Sequence, residues 1–191
     1  MKSTISKSCP VSTVGLDRRK LLLGGVAGIC AISPLPALAA IPRHEARTLS
    51  FLNLHTGEKL TSTYWERGDY VAESVGAINH LLRDFRSGEV KPIDAKLFDV
   101  LHSLQGVMES SEPFHVISGY RSPTTNNKLI AAGRGVAKRS LHMRGMAVDV
   151  RLPGRELRAV YRAARAMQAG GVGYYEKSNF VHIDTGRVRY W

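Results

Sequence analysis

The segment from Ser140 to Asp149, S-L-H-M-R-G-M-A-V-D, decides how this chain is interpreted. It places His142 and Asp149 seven residues apart, with Gly145 between them. A second histidine, His182, follows further along in the alternating segment F-V-H-I-D. Two imidazoles and one carboxylate are a ligand set that zinc accepts in tetrahedral sites that keep one position open.

Two predicted strands bring these side chains together. In a strand over residues 146–151, alternation points Asp149 away from the apolar side. In the segment over residues 180–184, His182 likewise points away from its valine and isoleucine neighbours. If the two strands are neighbours, both side chains meet at a common point. His142 then enters from the preceding loop, and the glycine after it allows the chain to turn.

The motif S-x-H-x-x-G-x-A-x-D, completed by a later histidine, resembles the zinc signature of the D-Ala-D-Ala metallopeptidases. The segment S-G-Y-R-S-P, residues 118–123, is similar to the segment that leads to the zinc site in that family. The C-terminal run F-V-H-I-D-T-G-R-V-R-Y-W looks like the YcbK group of murein endopeptidases. The resemblance covers residues 47–191.

This resemblance implies an α+β fold of the Hedgehog/DD-peptidase type. In that fold a small antiparallel sheet carries the zinc site and helices flank it. The expected cofactor is one Zn²⁺ per chain, bound by His142, Asp149 and His182. Arg121 is expected beside the zinc, where it would hold a substrate carboxylate or polarise the carbonyl under attack.

Two carboxylates compete for the role of general base. Asp184 lies two residues after His182 on the same predicted strand face, and it is the favoured candidate. It has an alternative role as a group that orients the ligand histidine. Glu176 lies six residues before His182, the spacing at which Hedgehog relatives place a glutamate near the zinc-bound water. Other members hold an acidic residue three before the last histidine, where this chain has Asn179.

The first 39 residues predict an export signal. Paired arginines, Arg18 and Arg19, precede an apolar, glycine-rich run, and Ala37-Leu38-Ala39 provides a small-x-small cleavage site. We therefore expect a twin-arginine signal peptide over residues 1–39, an exported domain over residues 40–191 and a periplasmic location. No stable membrane anchor is expected after cleavage, and an uncleaved anchor is the alternative.

Composition restricts the partners. Removal of residues 1–39 takes away five basic residues and Asp17, so the net charge falls from +11 to +7. Cys9 and Cys30 leave with the leader, so the mature chain has neither thiol nor disulfide. Lysines and arginines are scattered rather than clustered, which speaks against nucleic acid. An anionic cell-wall polymer, peptidoglycan, is the expected partner, and the oligomeric state stays open.

The remaining elements are predicted from periodicity. Apolar spacing predicts a helix from Val71 to Phe85, and Asp94 is expected to cap a second helix. Thr124 or Thr125 is expected to open a short third helix, and residues 156–169 a fourth. The apolar faces of these helices would supply the core.

The favoured function is a zinc-dependent peptidoglycan endopeptidase that cuts cross-links between stem peptides. By resemblance the bond joins two diaminopimelate residues, which makes the activity an L,D-endopeptidase. A D,D-endopeptidase or D,D-carboxypeptidase is the neighbouring enzyme class. A non-catalytic zinc-containing module that binds the cell wall is the alternative outside enzymes, and the presence of a base together with Arg121 favours catalysis.

Overall fold

An eight-stranded mixed sheet organises residues 45–191, the part of the chain that the computed structural model describes. The predicted signal peptide lies outside the described residues. The strands are β1 (Ala46–Asn53), β2 (Lys59–Glu66), β3 (Asp69–Tyr70), β4 (Phe114–Ser118), β5 (Ala147–Arg151), β6 (Gly171–Tyr175), β7 (Phe180–Asp184) and β8 (Arg189–Tyr190). Their spatial order is β3-β2-β1-β4-β5-β7-β6-β8.

Helices accompany this sheet in the described part of the chain. They are α1 (Ala72–Leu81), α2 (Ala95–Val107), α3 (Pro123–Ala131) and α4 (Leu157–Ala166), with a 3₁₀ turn at Leu141–Arg144. Within residues 45–191, every helix falls short of the length and apolarity that crossing a bilayer requires.

The α+β class is confirmed, and the sheet is larger than the expected small antiparallel one. Its centre, β4-β5-β7-β6, is antiparallel throughout. Two parallel pairs, β1 with β4 and β6 with β8, extend it into a mixed sheet. The parallel pairing of β1 and β4 is possible because β2, β3, α1 and α2 lie between these strands in sequence and provide the long connection that it requires.

The central strands have one apolar and one polar face. On β5 and β7, Val148, Val150, Val181 and Ile183 are buried in the hydrophobic core. The intervening positions face the other way, as strand alternation requires. The largest fully buried side chains of the core are Tyr64, Phe51, Phe98, Phe114, Leu49 and Ile78. The core therefore lies on one side of the central strands, and their other side is left for polar groups.

Three helix boundaries differ from the sequence prediction, and one of them is the end of α4, at Ala166 instead of residue 169. α1 ends at Leu81 instead of Phe85, because the chain turns there to bring Asp84 back toward the Glu89 carbonyl. α3 is capped by Ser122, whose side chain accepts from the Thr125 amide, and a proline occupies its first turn. The predicted cap residues Thr124 and Thr125 lie inside the helix, since serine followed by proline is itself a strong start signal.

Gly145 forms the turn that joins the 3₁₀ turn to β5. Its φ is +68°, a left-handed conformation that side chains disfavour. A Cβ at this position would collide with the Pro92 carbonyl oxygen. The Gly145 carbonyl accepts a hydrogen bond from the Asp94 amide at 2.8 Å. The turn that separates His142 from Asp149 therefore packs directly against the segment that starts α2.

We predict that Gly145→Ala lowers the free energy of unfolding by roughly 3 kcal/mol, from the left-handed backbone and the collision together. Gly88→Ala is the matched control, since Gly88 has φ +74° and nothing within 4 Å of an added Cβ. It should cost about 1 kcal/mol. Urea denaturation of both variants measures the difference, and equal losses would contradict the packing argument.

Candidate metal centre and substrate cleft

Three buried side chains converge on the polar face of the central strands. Asp149 and His182 are direct partners in the β5–β7 ladder, and the 3₁₀ turn brings in His142. The Asp149 Oδ1 lies 2.9 Å from His182 Nδ1 and 3.3 Å from His142 Nε2. The two ring nitrogens are 3.2 Å apart. The structure thus brings together the three residues that the sequence nominated as metal ligands.

The outer nitrogen of each imidazole is held by an acceptor. His142 Nδ1 lies 2.7 Å from the Gly119 carbonyl oxygen, and His182 Nε2 lies 2.9 Å from Asp184 Oδ2. Because these acceptors require a proton on the outer nitrogens, the neutral rings carry their lone pairs on the inner ones. This tautomer assignment follows from the hydrogen-bond network.

The donor set fits a zinc ion. Two ring lone pairs and a carboxylate oxygen face one another at 2.9–3.3 Å, a mutual repulsion that a cation between them relieves. Tetrahedral zinc with bonds of about 2.0–2.1 Å separates its ligand atoms by roughly 3.3 Å. Nitrogen and oxygen donors of this kind are also the ones zinc prefers. The geometry is therefore that of three ligands to one ion.

The charges of the three groups are coupled. Burial alone would raise the pKa of Asp149, but His142 and His182 outweigh it and hold that pKa well below its usual range. Burial would lower the pKa of His182, and its hydrogen bonds to Asp149 and Asp184 reverse this and raise it. A proton on His182 Nδ1 would occupy the lone pair that a metal needs, so protons and metal compete for this atom.

Arg121 lies beside this centre with unused donors. Its guanidinium approaches Asp149 Oδ2 at 3.8 Å and makes hydrogen bonds of 3.3–3.5 Å to Ser118 and Asn126. The Nε–H is buried without a partner. The side chain is only 8% exposed, and burial lowers its pKa although Asp149 opposes the shift. A buried cation with an unsatisfied donor at the edge of a cleft is suited to bind a carboxylate or a carbonyl oxygen.

The loop after α1 holds Arg121 in place. Asp84 accepts from the Ser122 amide through Oδ2 at 2.9 Å, and the Tyr120 amide donates to the Leu82 carbonyl at 2.7 Å. Burial would raise the pKa of Asp84, but hydrogen bonds from Thr125, Ser122 and the Arg86 amide lower it to about 2. This buried carboxylate is a site residue that sequence reasoning missed, because the predicted helix ran through it.

Asp184 occupies a position different from that of a general base. Its side chain is fully buried behind the His182 ring. Oδ1 accepts from the Gly171 and Gly186 amides, and Arg189 makes a two-pronged ion pair with both oxygens. Burial would raise its pKa, but the hydrogen bonds of His182 and Arg189 lower it. The role of base assigned to Asp184 does not fit this geometry, whereas the alternative role of orienting His182 does.

Glu176 does not reach the centre either. It is exposed in the turn between β6 and β7, where the Tyr174 hydroxyl approaches it at 3.4 Å. Asn179, at the position where some relatives hold an acid, adopts a left-handed conformation with φ +53°. Asparagine tolerates this conformation better than most residues, so here it serves the turn. Among residues 45–191, Asp149 is the carboxylate that lines the cleft.

The centre opens into a cleft of about 480 Å³. Four arginines line it, and they are Arg121, Arg134, Arg139 and Arg189. Aromatic side chains form another part of its lining, namely Tyr175, Phe180 and Trp191. The sequence analysis did not predict that the loop at residues 133–139 or the C-terminal Trp191 would line the site. The cleft is therefore cationic and partly aromatic, which suits a ligand with carboxylates and apolar segments.

We predict that Asp84→Asn weakens the fold in a pH-dependent manner. The folded pKa of about 2 lies below the ordinary 3.8, so ionised Asp84 contributes stability above about pH 4 that is lost as the pH falls toward 2. The contribution is roughly 2 kcal/mol. Urea denaturation should show a deficit at pH 6 that shrinks near pH 2. The exposed Asp69→Asn is the control, and a deficit independent of pH would contradict the assignment.

We predict that Asp184→Asn reduces zinc affinity by about 10- to 100-fold, because the ring of His182 loses its carboxylate partner. Competition with a chelator of known affinity measures the change. Glu176→Gln, in the exposed turn, should leave zinc affinity unchanged. Full zinc affinity in Asp184→Asn with loss of turnover would instead restore Asp184 as the base.

Comparison with known proteins places the chain in a family. Residues 42–191 match the family described as Peptidoglycan L,D-endopeptidase MepK. The chain is 49% identical to the peptidoglycan L,D-endopeptidase MepK of Escherichia coli K12 over 92% of its length and 97% of the relative's. It is 38% identical to the probable peptidoglycan L,D-endopeptidase MepK of Haemophilus influenzae, over 91% of this chain and 94% of that one. The chain therefore belongs to the peptidoglycan L,D-endopeptidase MepK family of M15 peptidases.

Proposed function

We propose that this protein is a zinc-dependent peptidoglycan endopeptidase that cuts the peptide bond between two diaminopimelate residues in the cell wall. The observation that carries the proposal is the convergence of His142, Asp149 and His182 at the floor of an open cleft. The family supports the class of reaction. The names of relatives that are 38–49% identical support the L,D-bond.

The character of the cleft suits this substrate. A cross-linked stem peptide carries free carboxylates beside its scissile amide, and the cleft presents four arginines. Arg121 is the one closest to Asp149, and its guanidinium would supply the positive charge that pairs with such a carboxylate. This feature favours an enzyme over a module that merely binds the wall, because the cation is positioned at the reacting end of the cleft.

Each residue of the site has a distinct role in the proposed reaction. His142, Asp149 and His182 would hold the zinc ion, which supplies Lewis-acid polarisation of the carbonyl and increases the acidity of water. Arg121 orients the substrate and balances negative charge that develops on the carbonyl oxygen. Asp184 keeps the proton of His182 on Nε2, so that Nδ1 stays available as a ligand. The strand pairing of β5 with β7 sets the spacing of two of the ligands.

The proposal includes an extracytoplasmic location. Peptidoglycan lies outside the cytoplasmic membrane, so the enzyme has to be exported. The twin-arginine signal expected over residues 1–39 provides the route, with cleavage after Ala39, and the mature domain over residues 40–191 would act in the periplasm. The net charge of +7 on that domain would assist its encounter with an anionic polymer.

We predict that the mature protein with zinc converts muropeptide dimers joined by a diaminopimelate–diaminopimelate bond into monomers. A strong chelator should abolish the reaction, and added zinc should restore it. His142→Ala should lose both metal and activity, since it removes one of three ligands. Mass spectrometry of the products identifies the bond that is cut.

The exposed His80→Ala on α1 is the control for removal of a histidine, and it should keep zinc and activity. Dimers joined through D-alanine test the neighbouring D,D-endopeptidase reaction. If the protein cuts only those dimers, it is a D,D-endopeptidase and the proposed L,D-assignment is wrong. If the zinc-loaded protein leaves both kinds of dimer intact, the proposal that it is an endopeptidase is wrong.

A further inference from the structure

Three aromatic side chains form one side of the cleft, and we call Tyr175, Phe180 and Trp191 the aromatic wall. Tyr175 stacks on Phe180 with ring centroids 4.5 Å apart and planes 18° apart. The indole Nε1–H of Trp191 donates to the Tyr175 hydroxyl at 2.9 Å. The indole centroid lies 5.3 Å from that of His182. The wall therefore begins directly beside a metal-ligand residue.

The position of Trp191 is fixed from several directions. Its amide donates to the Val172 carbonyl, and its carbonyl accepts from the Tyr174 amide, so the backbone is paired with β6. Gly173 leaves room for the indole, because a Cβ there would come within 2.6 Å of it. The Arg189 guanidinium lies 5.0 Å from the ring centroid. An indole anchored in this way presents a preformed surface, which lowers the entropic cost of binding.

Burial does not account for this arrangement. Trp191 remains 46% exposed and Tyr175 38% exposed, and neither belongs to the hydrophobic core. A large aromatic face that is held rigidly and left open to water is more typical of a binding surface than of a stabilising contact. Because Trp191 and Tyr175 line the same cleft as Arg121, a ligand bound there would meet an apolar face and a guanidinium together.

We propose that Trp191, supported by Tyr175, is a specificity-determining residue that binds the short polymethylene chain of the diamino acid flanking the scissile bond. This inference rests on the proposed function and names the part of its substrate that the wall recognises. The chain of methylene groups would lie against the indole face, while its terminal carboxylate would point toward the arginines of the cleft. Contact with this indole face would remove the methylene groups from water, which stabilises the complex.

Substitution separates this role from a structural one. In Trp191→Ala we expect kcat/KM for diaminopimelate cross-linked dimers to fall by about 10-fold or more, equivalent to roughly 1.4 kcal/mol. The loss should appear mainly in KM, and one equivalent of zinc should remain bound. Trp191→Phe should recover part of the affinity. Val188→Ala is the matched control, because Val188 is 50% exposed on the neighbouring segment and does not line the cleft.

Fluorescence gives a readout that does not depend on turnover. The chain contains two tryptophans, so in Trp65→Phe the emission comes from Trp191 alone. Titration with the monomeric stem tripeptide ending in diaminopimelate, which has no cross-link to cut, should change that emission saturably. The muropeptide disaccharide without peptide should leave it unchanged. The reverse pattern would assign the wall to the glycan and overturn the inference.

The two proposals fail in different ways. If wild-type protein loaded with zinc cuts no cross-linked dimer, the proposed function is lost. If the wild type cuts dimers and Trp191→Ala has the same KM and kcat, the function stands and the inference is wrong. If Trp191→Ala loses zinc or unfolds, the titration of Trp65→Phe with the stem tripeptide decides the question, and an unchanged Trp191 emission would overturn the inference.

Discussion

The repulsion among three electron-pair donors in a buried pocket is the constraint on which the rest of this structure depends. Asp149, His142 and His182 place their inner atoms within 3.3 Å of one another. Such an arrangement is stable only when a cation occupies the space between them or a proton is shared. The outer hydrogen bonds to Gly119 and Asp184 prevent either ring from turning away. The fold therefore holds these three donor groups in place for the ion that we propose.

The same strands supply both the core and the metal centre. Val148 and Val150 flank Asp149 on β5, and their burial fixes which face of the strand is apolar. A slip of one residue in the β5–β7 register would bury Asp149 in the core and expose a valine. The hydrophobic core thus enforces the register that sets Asp149 opposite His182. Stability and ligand geometry cannot be varied independently in these two strands.

Alternation and spacing were sufficient to predict that His142, Asp149 and His182 lie together, and the family resemblance was sufficient to predict the α+β class. They were insufficient for Asp184, because the face of a strand does not specify which groups surround a side chain. Its role depends on Arg189 and on two amides that a sequence pattern does not place. Asp84 was missed for a related reason. Apolar spacing continues through Phe85, whereas the chain leaves the helix to satisfy a buried carboxylate.

Arg189 connects the metal centre with the side of the cleft. It pairs with Asp184, which holds His182, and it lies against the Trp191 indole. The free-energy changes caused by substitutions of these residues should therefore not be additive, since the residues contact one another in one network. The segment from residue 185 to residue 191 is consequently part of the site in a physical sense. It supplies both the ion pair that holds Asp184 against His182 and the aromatic surface that a substrate in the cleft would meet.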